Sequence, residues 1–326
     1  MAPGALTDPL SSPSPSLLPS RSGTDLETTS DAIDAVNVLK GTLDVKPHTA
    51  KSSPQETPAP STKDKSQFRQ YDAACNRVKN FYREQHTSQT VAYNLRARNM
   101  FKSKVRAEMT IWEAMEKLNT LIDESDPDTE LTQIEHLLQA AEAIRRDGRP
   151  RWMQLVGLVH DLGKLLFFFE GTMGQWDVVG DTFPVGCKFD ERIIYPDTFS
   201  ENPDAHDPIY STEHGIYTPH CGLDNVMLSW GHDEYLYCVL KGQSMIPEEG
   251  LAMIRYHSFY PWHREGAYKW MMDEEGKDER MLEAVRAFNP YDLYSKGDGV
   301  PDVGKLKEYY KGIIEEYIGW DRKIKW

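Results

Sequence analysis

The stretch Leu155-Val156-Gly157-Leu158-Val159-His160-Asp161-Leu162-Gly163-Lys164 decides how the rest of this chain reads. A run this apolar belongs in a core, yet it carries an imidazole, a carboxylate and an ammonium side by side. Burying such groups without partners is costly. Either they pair with one another and their neighbours, or they hold a metal ion. Adjacent helical residues project about 100° apart, so His160 and Asp161 do not share a helix face. They can still meet on one ion if the carboxylate reaches around, and its second oxygen can bridge another. Lys164 adds a cation beside the same point, which suits a substrate hydroxyl or phosphate better than it suits packing.

Around this run the chain reads as helical. Phe68 to Phe81 has helical spacing. Thr110-Ile111-Trp112-Glu113 is a capping box ahead of Met115, Leu118 and Leu121. Leu131, Ile134, Leu138, Ala141 and Ile144 form an apolar stripe, and Pro150 opens the segment with His160. Pro247-Glu248-Glu249 opens another helix, ending near His257, and Pro301 precedes the last, with Leu306, Tyr310, Ile313, Ile314 and Tyr317. Between Gly171 and Pro219 the pattern fails: Gly, Pro, Asp and Asn are dense, and no helix of useful length fits. So long a loop within a domain serves a site or forms a lid. There is no sandwich-type alternation. The fold class is all-α, with a long irregular insert.

Residues 1–66 are of a different kind. They hold no Phe, Trp or Tyr and nine of the chain's twenty prolines. Such a segment cannot bury enough apolar surface to offset chain entropy, so it reads as a disordered Pro/Ser/Thr-rich tail, with Ile33 to Val45 at most a short amphipathic helix. Residues 67–326 then form one catalytic domain. The tail has net charge −2 of the chain's −14, which leaves −12 on the body. An acidic body argues against a nucleic-acid partner and against an anionic membrane. The start of the chain has no secretory pattern, and the longest apolar run, Leu165 to Phe169, is far short of a membrane span. Cys75, Cys187, Cys221 and Cys238 show no close pair, as expected for free thiols and a cytoplasmic location.

The histidines sharpen the metal reading. His136, His160, His232 and His257 lie on or beside strong apolar segments. One such histidine is usually a satisfied core residue; four, with an adjoining Asp, require too many separate partners. His206-Asp207-Pro208 sits in a polar stretch and reads as turn chemistry. His214, His220 and His263 stay open. A helical His, then His-Asp, then a distant Asp is the ligand pattern of the HD-domain superfamily. Here these are His136, His160-Asp161 and, as the best late candidate, Asp292. With His232 and His257 the set is large for one ion and natural for two. Nitrogen and oxygen donors without thiolate fit iron, manganese or zinc.

Beyond these residues the body resembles the myo-inositol oxygenase family from Phe68 to Trp326. The motifs that carry the resemblance are Asp123-Glu124-Ser125-Asp126-Pro127-Asp128, Leu155 to Lys164, Val179 to Cys187, Pro219-His220-Cys221-Gly222-Leu223, Ser229-Trp230-Gly231-His232-Asp233-Glu234-Tyr235 and Arg255 to His263. The resemblance implies an HD-domain helical bundle with two irons, Fe(II)/Fe(III), and no NAD, flavin or haem. It implies one iron on His136, His160, Asp161 and Asp292, and a second on His232 and His257, with Asp161 bridging. It implies O₂-dependent cleavage of myo-inositol to D-glucuronate, with Asp161 and Lys164 as the catalytic groups. Substrate contacts then fall on Arg69, Asp123, Glu124, Ser125, Lys164, Gly180, Asp181, Ser258 and Lys296. The partners are myo-inositol and O₂, and the chain acts as a monomer. The competing reading is an HD-type metal-dependent phosphohydrolase, which shares the His-Asp core but needs no O₂.

Overall fold

The computed structural model describes residues 76–123, 132–294 and 301–326. The tail 1–66, Arg69, Cys75, Glu124, Ser125, Leu131 and Lys296 lie outside the described residues.

Helices dominate, as expected. In chain order they are α1 (Asn76–Ser88), α2 (Val91–Ser103), α3 (Ile111–Leu118), α4 (Gln133–Arg146), α5 (Arg151–Val159), α6 (His232–Leu240), α7 (Glu248–Tyr256), α8 (Tyr260–His263), α9 (Lys277–Tyr294) and α10 (Val303–Tyr317). The capping box closes α3: the Glu113 amide donates to Thr110 Oγ1 at 3.2 Å, and the Thr110 amide to Glu113 Oε2 at 2.8 Å. The first helix runs seven residues past Phe81, to Ser88. Its last turns carry no apolar stripe, because Gln85 and His86 are buried by polar partners instead: Val179 O for Gln85 and Thr198 Oγ1 for His86.

α4 and α5 form a tight antiparallel pair that turns at Asp147-Gly148. Gly157 makes their close approach possible, since a Cβ there would stand 3.0 Å from the Ala141 backbone nitrogen. Their apolar faces join α3, α6 and α10 in one core that includes Leu118, Leu138, Ile144, Leu155, Leu158, Leu236 and Ile314. A second core lies under the irregular insert, where Phe183, Val185, Phe199, Leu223 and Leu228 pack against Tyr256, Phe259, Trp262 and Leu282. The insert contains only 3₁₀ turns, at Gln175–Asp177, Pro196–Glu201 and Pro203–His206. It is nonetheless packed: His86 and Phe189 each stack on Phe199, with ring centroids 3.9 and 4.1 Å away.

Two local expectations need correction. The helix carrying the apolar run stops at Val159, so His160 is its C-terminal cap and Asp161 starts a 3₁₀ segment, Leu162–Phe168. The helix ends at this junction, so the regular offset of about 100° no longer holds, and Asp161 Oδ2 stands 3.6 Å from His160 Nε2. A small antiparallel sheet also escaped notice: β1 (Glu108–Met109) pairs with β2 (Ile324–Lys325), Glu108 opposite Lys325 and Met109 opposite Ile324. Two residues are too few to show alternation. No described helix is long and apolar enough to cross a membrane.

Candidate metal centre

Five helices and their ends deliver the donors. His136 lies in the first turns of α4, His160 caps α5, His232 opens α6, His257 caps α7, and Asp292 sits in the last turn of the 18-residue α9. All six expected metal-site residues come together. Asp292 Oδ1 stands 3.2 Å from both His136 Nε2 and His160 Nε2. Asp161 lies between the two groups of histidines. Its Oδ2 is 3.6 Å from His136 and His160 Nε2, and its Oδ1 is 3.5 Å from His232 Nε2 and 3.6 Å from His257 Nε2.

The backbone fixes which ring nitrogen faces inward. His160 Nδ1 is 3.0 Å from the Gly157 carbonyl, His232 Nδ1 is 2.9 Å from that of Val178, and His257 Nδ1 is 2.9 Å from that of Ile254. A carbonyl only accepts, so each Nδ1 carries the hydrogen and each Nε2 of a neutral ring presents a lone pair. His232 Nε2 and His257 Nε2 then face each other at 3.3 Å with no proton to share. His160 Nε2 likewise faces a carboxylate oxygen. Such a set is repulsive unless positive charge sits among its members. Six donors on one cation at about 2.1 Å stand about 3 Å apart, so the observed spacing fits metal binding. His136 differs, because its Nδ1 is buried with no hydrogen-bond partner.

The electrostatics agree that this point calls for a cation. Burial pulls the His160 imidazole down, but the Asp161 and Asp292 carboxylates outweigh it and push its pKa up to about 9. Burial likewise raises Asp292 and Asp161, yet the histidines hold Asp292, and Lys164 and His160 hold Asp161, well below the usual carboxylate range. His86 and His263 are equally buried but have no carboxylate acting on them, and desolvation takes both down to about 3. What separates the two classes is the nearby carboxylate, since burial is common to both.

The remaining expected residues surround this cluster. Lys164 Nζ is clamped between Asp123 Oδ2 at 2.8 Å and Asp161 Oδ2 at 2.9 Å. Gly180 and Asp181 belong to a loop pinned by α1: Gln85 Nε2 donates to the Val179 and Asp181 carbonyls, and the Tyr82 hydroxyl to Asp181 Oδ1 at 2.8 Å. The loop joins the centre through the Thr182 amide, which donates to the Ser258 carbonyl at 2.9 Å. Ser258 Oγ is 3.3 Å from His232 Nε2. His206-Asp207 is turn chemistry, with Asp207 Oδ1 accepting from the Ile209 and Tyr210 amides. His263 positions a ligand: its Nε2 is 2.9 Å from the His257 carbonyl. His220 and His214 are remote from the cluster, beside Glu274 and Trp270 respectively.

Residues 75–326 match the family model described as Myo-inositol oxygenase. The chain belongs to the myo-inositol oxygenase family. Its relatives include "Inositol oxygenase 1" of Arabidopsis thaliana, 49% identical over 79% of this chain and 84% of that one. "Inositol oxygenase" of Dictyostelium discoideum is 48% identical over 79% and 89%, and that of Rattus norvegicus 46% over 78% and 90%. The family's stretch begins where the described helices begin, and the 1–66 tail falls outside it.

Three residues of the centre were not singled out from the sequence. Tyr82 and Gln85 hold the 179–181 loop from a helix whose polar face carries no motif. Asp233 places its Oδ1 2.8 Å from His232 Nε2 and 3.3 Å from His257 Nε2, closer to both than Asp161. Its signal was present: His232-Asp233 repeats the buried His-Asp dipeptide of 160–161 next to Trp230 and Tyr235.

Proposed function

We propose that this chain is an inositol oxygenase that converts myo-inositol and O₂ to D-glucuronate and water. The observation that carries the reading is the ring of inward-facing Nε2 lone pairs and carboxylate oxygens around Asp161. Two irons would be held there, one on His136, His160 and Asp292, the other on His232 and His257, with Asp161 shared. When bound, they supply Lewis acidity toward the polyol oxygens and the electron traffic with O₂. Four electrons leave the substrate, so no NAD, flavin or haem is required.

The chain's own residues bind and orient the polyol. Asp123, Asp181 and Ser258 offer hydrogen-bond partners to a neutral ring of hydroxyls, with Arg69, Glu124, Ser125 and Lys296 as further contacts and the Gly180 backbone beside them. Lys164 holds its proton firmly: burial disfavours the charge, but Asp123 and Asp161 raise its pKa well above that of a free lysine. It therefore acts as a fixed cation that stabilises negative charge developing on a substrate oxygen, and not as a base. The Val178, Gly157 and Ile254 carbonyls each accept from an imidazole Nδ1 and so turn three Nε2 atoms toward the metal. Residues 67–326 act as one catalytic unit and a monomer.

An assay with and without O₂ tests the reading. Purified protein loaded with iron should form glucuronate from myo-inositol in air and none under argon. A phosphate-ester hydrolase with the same His-Asp core would turn over equally in both.

A further inference from the structure

The second half-site is short of donors on the reading above. His232 and His257 with one shared Asp161 oxygen make three, whereas the first half-site has His136, His160, Asp292 and the other Asp161 oxygen. Yet the protein holds a fourth possible donor there, a carboxylate. Asp233 is 1% exposed and its Oδ1 lies 2.8 and 3.3 Å from the two Nε2 atoms, the spacing of neighbouring ligands on one ion. Both rings already donate from Nδ1 to a backbone carbonyl, so in a neutral ring neither Nε2 carries a proton for Asp233. The carboxylate faces lone pairs, as Asp292 does toward His160 across the centre.

The rest of Asp233 is tied to the residues expected to meet the substrate. Its Oδ2 accepts from the Ser258 amide at 3.1 Å and from Thr182 Oγ1 at 3.2 Å, and its Oδ1 accepts from Ser258 Oγ at 3.2 Å. Oδ2 is thus fully engaged by protein donors, while Oδ1 has one weak donor and two imidazole lone pairs. Displacing Oδ1 from a cation would leave Oδ2 anchored and Ser258 Oγ still in reach.

We propose that Asp233 Oδ1 is a ligand of the second metal ion while substrate is absent, and that the polyol's hydroxyl oxygens take its place. This rests on the two-ion reading and adds an exchangeable position to it. The step is a ligand exchange: one metal–carboxylate bond breaks, metal–oxygen bonds to the polyol form, and no electron moves. Asp233 completes and neutralises the half-site at rest, and in the loaded site its freed Oδ1 is left to Ser258.

Anaerobic Fe(II) titration of the full chain, followed by calorimetry, tests the proposal without turnover. Wild type should take up two ions. Asp233→Asn, nearly the same shape but uncharged, should weaken only the second ion, by about 10- to 100-fold, and saturating myo-inositol should restore most of that loss. Asp233→Glu should recover part of the affinity without inositol. Second-ion binding by Asp233→Asn within about threefold of wild type in the absence of inositol would overturn the proposal. So would equal weakening of both ions that inositol does not repair, since that marks a purely structural anchor. Should the Asn variant fail to fold, infrared difference spectra of iron-loaded wild type decide: inositol should shift one carboxylate from metal-bound to free, and an unchanged carboxylate region would sink the idea. A wild type that takes up a single ion would break the two-ion reading itself.

Discussion

The two halves of the centre are built from the same donors by different means. His136, His160 and Asp292 come from three regular elements, α4, α5 and α9, and their convergence follows from helix packing around Gly157 and Phe288, whose ring is 5.4 Å from that of His160. His232, His257 and Asp233 come from two helix ends: Val178, Thr182 and Ser258, all in irregular chain, orient His232 and Asp233, and the Ile254 carbonyl orients His257. The first half is rigid because its scaffold is a packed bundle. The second has to accommodate a substrate, and donors set on helix ends and loops can adjust without disturbing a core. Asp161 joins the two, at the point where α5 gives way to the 3₁₀ segment.

Removing that joint should have the largest effect. Asp161→Ala leaves Lys164 with one carboxylate and both half-sites without their shared oxygen, so iron content should drop below one ion per chain and turnover by more than about 10²-fold. Elemental analysis and a glucuronate assay measure both; two ions retained at full occupancy would show that the halves do not depend on Asp161.

Gly163→Ala probes how the halves are pressed together. A Cβ at Gly163 would lie 2.0 Å from the His232 carbonyl oxygen, a backbone atom that cannot rotate away. The α6 terminus must shift, at a cost of about 1–3 kcal/mol or somewhat more. The second ion should weaken more than the first, together with a lower midpoint in urea. Equal weakening would mean that the 3₁₀ segment moves instead of α6.

Acid should act on the surroundings of the second half before its ligands are considered. His86 and His263 have pKa values taken down from 6.5 to about 3 by burial, so between those pH values the unfolded chain binds protons that the folded chain refuses. Their contribution is complete above about pH 6.5 and is lost as pH falls toward 3. Each pKa unit is worth about 1.4 kcal/mol, so several kcal/mol should disappear by pH 4 in urea melts of the metal-free protein. His263→Gln should flatten part of that slope; an unchanged slope would mean that other groups carry it.

The smallest effect belongs to the loop clamp. Tyr82→Phe removes the hydroxyl that donates to Asp181 at 2.8 Å. A net loss of about 1 kcal/mol corresponds to a KM for inositol raised about fivefold with both ions still bound. A change in iron content would show instead that α1 supports the metal and not the substrate side.

Much of the first half-site could be read from the chain, because both of its histidines sit in or beside apolar periodic segments where a polar residue stands out. Asp292 needed the HD-domain ligand pattern, which asks for a distant Asp. The second half-site is less legible: His232 and His257 stand out as anomalies, but an Asp in the first turn of a helix, as Asp233 is, is ordinary there and carries no mark of its own. Tyr82 and Gln85 were invisible for the opposite reason, being polar residues on a polar-looking helix face that the fold buries. The stop of α5 at Val159 was hidden as well, since Leu162 to Phe168 keeps enough apolar residues to continue a helix.

The sequence by itself determined the helical class, the acidic body, the family and the identity of six polar groups too expensive to bury singly. Only the tertiary structure decided that they share one point, which ring nitrogen each histidine turns inward, and that Asp233 joins them. The reason is the range of the forces involved. Periodicity and burial cost act on each segment separately and leave a mark in its composition. His160 and His257 turn their Nδ1 to a carbonyl three residues back, but His232 depends on Val178, 54 residues away, and the spacing of the donors depends on how separate helices pack; no local pattern records contacts of that kind.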